Sequence, residues 1–92
     1  GMALELAPHN ITVNCVAPGA IEGDRIDSVI EGQARVRGIP PEAMRKMMLE
    51  RSPLKRMATA DDIAAAAMFL CSPLARNISG QVLPVNAGEP AG

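Results

Sequence analysis

Few side chains in this chain are equipped for chemistry. The single histidine, His9, stands in a turn-like Ala-Pro-His-Asn run with nothing nearby to orient it as a base. Cys15 and Cys71 lie far apart, and neither belongs to a Cys-x-x-Cys pair. A zinc site needs more ligands than these supply. Both cysteines have apolar neighbours, which predicts small buried thiols in a reducing cytosol. The stretch that raises a chemical question is ITVNCVAPGAIEG, residues 11–23, where a β-branched run stops at Pro18-Gly19. Proline fixes the direction of the chain, and glycine lets a ligand approach the backbone closely. From these residues alone a plain strand-ending turn is the simpler account. The acids beside it, Glu22 and Asp24, read as loop and cap residues rather than as a general acid.

Composition narrows the choice of partners. The chain has 92 residues, 48% of them apolar and 21% charged, which suits one small globular domain or part of a larger one. The net charge is −1 and Phe69 is the only aromatic residue. Without a basic run or stacking platforms, nucleic acid is not an expected partner. No apolar block approaches the roughly 20 residues of a membrane span. No basic start precedes an apolar run, so no signal peptide is expected. Gly1-Met2 has the look of a tag-cleavage remnant, which would start the native chain at Met2.

The elements that would position the Pro-Gly turn follow from local pattern. Residues 2–7 read as the last turns of a helix, ended by Pro8. Residues 11–17 read as a strand covered on both faces, as in a parallel sheet. A helix is expected from Asp24, capped by that residue and ended by Gly38, with Ile26, Val29, Ile30 and Ala34 on one face. Ile39-Pro40-Pro41 is a hinge into a second helix, 41–51, with Met44, Met47 and Met48 on one stripe. Thr59 followed by Asp61 and Asp62 starts a third helix to about Cys71. Residues 81–88 form a strand, with Pro84 marking an edge or a bulge. Two strands joined through a helix predict a parallel pair with a right-handed crossover.

Two motifs in this order carry a resemblance: LELAPHNITVNCVAPGAI (4–21) and SPLKRMATADDIAAAAMFLCSPLARNISGQVLPVNAG (52–88). The chain resembles the C-terminal part of the short-chain dehydrogenase/reductase family over nearly its whole length. The resemblance implies an α/β fold, the C-terminal part of a doubly wound, Rossmann-like parallel sheet: helix end, strand, helical lid, helix, strand. Residues 1–92 would be one piece of a single domain, with a substrate lid inserted at about 20–57. It implies NAD or NADP as cofactor and a small alcohol or carbonyl compound as substrate. Pro18 and Gly19 would pack on the nicotinamide, and the backbone of Ile21 would bond its carboxamide. Ile26, Val29, Ile30, Met44, Met47 and Met48 would line the apolar substrate pocket, methionine suiting it by adaptable shape. Gly23 departs from the pattern, since many members carry a threonine there that bonds the cofactor. Asp24 either caps the helix in its place or belongs to a subgroup with another contact. The alanine-rich helix and the last strand resemble elements through which members form tetramers, so a homo-oligomer is expected.

The family's chemistry also uses a glycine-rich phosphate turn and a Ser, Tyr and Lys set. Neither is found here, and the chain contains no tyrosine. No residue of this chain is therefore assigned a catalytic role, no metal ligand is assigned, and the isolated chain is expected to be silent. It reads as a truncated reading frame, a proteolytic remnant or an expressed fragment. A two-stranded sheet is marginal in water and has an open edge, which predicts self-association, as an intertwined or sheet-extending dimer. A non-catalytic interaction module that pairs with itself or a full-length relative is the alternative.

Overall fold

A computed structural model describes residues 1–89. Helix α1, Met2–Leu6, is followed by a 3-10 turn, Ala7–His9. Strand β1 is Cys15–Pro18, and helices α2 and α3 are Asp24–Arg37 and Pro41–Arg51. Helix α4, Ala60–Leu70, precedes strand β2, Val82–Val85. The two strands pair in parallel, with Cys15 opposite Val82 and Pro18 opposite Val85. This is the predicted β-α-β order, and α4 packs on both strands.

Both strands are shorter than the sequence pattern predicts. Residues 11–14 run beside 78–81, but side chains make much of the join. The Val13 amide donates to Ser79 Oγ, and the Gln81 amide donates to Asn14 Oδ1. The Asn14 side-chain amide in turn donates to the Ile78 carbonyl at 3.0 Å. At the other end, residues 86–89 turn away under the Asn86 side chain, which accepts from the Gly88 amide and donates to the Glu89 carbonyl.

The prediction of a sheet covered on both faces, with buried thiols, is corrected. Cys15 and Cys71 are both exposed, and Val82 is 63% exposed. The reason is geometric, because α4 lies against both strands and, among the described residues, no second element packs on them comparably.

Local chemistry sets the helix ends. Gly38 closes α2 in the left-handed conformation, φ 68°, and Pro41 opens α3 where its missing N–H costs nothing. Thr59 and Asp62 form a reciprocal capping box at α4: the Asp62 amide donates to Thr59 Oγ1 at 3.2 Å, and the Thr59 amide donates to Asp62 Oδ2 at 2.8 Å. Asp24 is not a cap. It is the first residue of α2, and Gly23 occupies the cap position without a side-chain bond.

The apolar core lies between α2 and α3. Ile30, Ala34, Met44 and Met57 are buried together, with Ala20, Ile26, Ile39, Met48 and Leu49 around them. Fully burying Met44 contributes on the order of 1.5–3 kcal/mol. Ser52, also buried, sits near the Arg56 and Ala87 carbonyls, its hydroxyl 3.1 and 3.3 Å from them. The chain is elongated, 56 × 23 × 22 Å, with a radius of gyration of 17.1 Å. A compact domain of this length would have a radius near 12 Å.

Both prolines of the sheet avoid the ladder. The Cys15 amide donates to the Gln81 carbonyl and the Gly19 amide to the Val85 carbonyl, so odd-numbered residues of both strands face the partner. Pro18 and Pro84 are even-numbered and face the outer edges, so neither removes a bond between the strands.

Candidate functional site

The site is built where β1 ends. Gly19 passes directly over Asn86, the residue after β2: a Cβ placed on Gly19 would lie 2.7 Å from the Asn86 Cβ and 3.0 Å from its Cα. That approach requires glycine at 19 whatever occupies the neighbouring space. The chain then turns outward, and the Glu22 amide donates to the Ala58 carbonyl at 2.9 Å beside an Ile21–Ala58 bridge. In that bridge pattern the Ile21 amide points the other way and has no backbone acceptor among the described residues. Gly23 follows with φ 149° and ψ −176°, a region that belongs almost to glycine alone. A β-branched residue at position 23 would be strained in this backbone.

A cleft of about 560 Å³ opens beside this turn, lined by Pro18 to Arg25 and by Ile26 and Val29 of α2. The three residues predicted to face a cofactor, Pro18, Gly19 and Ile21, therefore line one cleft together with two of the predicted lid residues. The other lid residues go elsewhere. Ile30 and Met44 are 3% and 0% exposed and fill the α2–α3 core, because the apolar stripes of the two helices face each other. Met47 is partly exposed at the surface. Met48 lines a second, smaller pocket with Ala20, Leu49, Met57 and Asn86.

Arg45 pairs with Glu22, one of the residues that line the cleft. Its Nη2 lies 2.5 Å from both carboxylate oxygens of Glu22, and its Nη1 lies 3.5 Å from Asp27 Oδ1. The Glu22 hydrogen bond, then the Glu22 charge, hold the guanidinium pKa above its already high value. The sequence pattern assigns no role to Arg45, Asn86 or Asn14, and Glu22 reads from it as a plain loop residue. The Asn-Ala-Gly run at 86–88 was the available signal for a side-chain-directed turn. Nothing local announces the Arg45–Glu22 pair.

Comparison with known proteins decides the lineage. A family model described as Enoyl-(Acyl carrier protein) reductase matches residues 1–89. A solved short chain dehydrogenase family protein from Francisella tularensis superposes with a TM-score of 0.86 at 32% identity, over 95% of this chain and 36% of that one.

The chain belongs to the short-chain dehydrogenase/reductase family.

Among its relatives in that family, the 7alpha-hydroxysteroid dehydrogenase of Escherichia coli is 46% identical over 87 residues, 95% of this chain and 30% of the relative. The NADPH-dependent reductase BacG of Bacillus subtilis is 37% identical over 88 residues, 96% of this chain and 34% of that protein. The chain thus spans about a third of the length of the short-chain dehydrogenases it matches. Its structural neighbours place the α/β architecture among Rossmann-fold members of the family. Among the described residues no helix is long and apolar enough to cross a membrane.

Proposed function

We propose that residues 1–92 supply the nicotinamide-facing turn and part of the substrate lid of an NAD(P)-dependent short-chain oxidoreductase, one that moves hydride between the cofactor and a small alcohol or carbonyl compound. The observation that carries this reading is the cleft itself. It joins Pro18, Gly19 and Ile21 to Ile26 and Val29. Its residues suit the ring end of a nicotinamide dinucleotide. Pro18 offers an apolar surface for the ring, and the Ile21 amide is a donor left over for the carboxamide oxygen. The cofactor, when bound, supplies the hydride chemistry. This chain's own part is to orient the ring and to place apolar side chains over the substrate. Within the lid, Ile26 and Val29 take that role, while Ile30 and Met44 support them from the core.

The same reading makes the isolated chain catalytically silent, since its 92 residues contain no tyrosine to act as proton donor and no glycine-rich turn for the pyrophosphate. It also favours self-association. Met68, 73% exposed, and Phe69 on α4 and Val82 on β2 leave apolar surface open to a second copy. That surface supports the second reading, a self-pairing module without catalysis.

A segment exchange tests the first reading. Residues 1–89 replace the matching segment of a full-length family member, and NAD(P)-dependent turnover is measured. Retained turnover is the expected result, with Ile21→Pro raising the KM for cofactor because it deletes the free donor. A folded exchange protein that binds no dinucleotide overturns the reading. Calorimetry of the 92-residue chain with NAD and NADP is expected to show no tight binding.

A further inference from the structure

Arg45 ties together three parts of the molecule that share no other polar side-chain link among the described residues. It projects from α3, the second helix of the lid segment. Its Nη2 meets both oxygens of Glu22, in the loop that lines the cleft, and its Nη1 meets Asp27, in the first turn of α2. The Glu22 main chain is meanwhile bonded to the Ala58 carbonyl. Residue 22 is thus fixed on both sides, by backbone to residue 58 and by side chain to α3. The residue after it, Gly23, has no side chain, and a Cβ there would meet nothing within 4 Å. The loop therefore has a natural pivot at 23 and a single charged bolt at 22. Without Arg45, neither the Glu22 nor the Asp27 carboxylate would have an ion-pair partner among the described residues.

We propose that Arg45 is a positioning residue: through Glu22 and Asp27 it couples the placement of α3 to that of the Gly19–Asp24 loop, so that lid and cleft wall move as one body. What the cleft holds rests on the functional reading above, but the coupling does not. Two carboxylates sharing one guanidinium make a small network rather than an isolated surface ion pair. The link is electrostatic, so salt must loosen it.

Amide hydrogen exchange on the 92-residue chain tests this without any cofactor. In Arg45→Gln and in Glu22→Gln, exchange over residues 22–27 is expected to quicken about two- to five-fold, with α4 unchanged. The double variant is expected to show no further increase, and the exchanged pair Glu22→Arg with Arg45→Glu to recover much of the protection. Wild-type chain in about 1 M NaCl is expected to resemble Arg45→Gln. Unchanged exchange in the single variants, additive effects in the double variant, or no protection over 22–27 in the wild type would each overturn the proposal. Failure of the segment exchange to bind a dinucleotide would leave this result standing, so the two readings fail separately.

Discussion

Gly19 and Asn86 touch where the two strands end, so closely that a single added methyl group on Gly19 would sit 2.7 Å from the Asn86 Cβ. This contact makes Gly19 a structural requirement as well as a wall of the cleft. Gly19→Ala must push β1 and the 86–89 turn apart. The expected cost is about 1–3 kcal/mol, read from the urea midpoint. Asn86→Gly, added to Gly19→Ala, should recover part of it, because the nearest atom is then gone. A Gly19→Ala chain as stable as the wild type would contradict this geometry.

Asn14 joins the entrances of the two strands by accepting from the Gln81 amide and donating to the Ile78 carbonyl. Asn14→Ala removes both bonds and leaves two backbone groups to find water. A loss of about 1–3 kcal/mol is expected, with faster exchange of the Gln81 amide as the local reporter.

Thr59 begins α4 through its capping box with Asp62. Thr59→Ala is expected to cost about 1 kcal/mol and to fray the first turn of the helix, observable as reduced ellipticity at 222 nm on warming. Thr59→Ser, which keeps the hydroxyl, should retain most of the stability.

The same box makes α4 sensitive to acid. The Thr59 backbone hydrogen bond, and then its hydroxyl, hold the Asp62 carboxyl below its ordinary value of 3.8. A carboxyl whose folded pKa is lowered stabilises the fold above its unfolded pKa, and that contribution disappears as the pH falls through the folded value. Stability from this source is therefore complete above about pH 5 and declines below about pH 4. In Asp62→Asn that part of the pH dependence should be missing from a titration followed by circular dichroism.

The features that could be read in advance are those whose cause is local. Gly38 ends a helix, Pro41 begins one and Thr59 caps one because each acts on its own neighbours in the chain. The parallel pairing was legible for a similar reason, since a strand, a helix and a strand leave few ways to connect. Features set by distant partners were not. The thiols were expected to be buried because their neighbours are apolar, yet exposure depends on what covers the sheet. The α3 methionines look equivalent by spacing, but the approach of α2 separates Met44, in the core, from Met47, at the surface. Gly19 could be read as making room for a ligand, whereas its closest neighbour is Asn86. The Glu22–Arg45 pair spans 23 positions and left no local trace.

The outward-facing prolines also govern how this small sheet can grow. A third strand arriving beside β1 would find no amide to accept at Pro18, and one arriving beside β2 would find none at Pro84. Each flank is thus blunted at the level where the chain leaves the sheet. Fibril-like stacking of copies would lose a rung on either side.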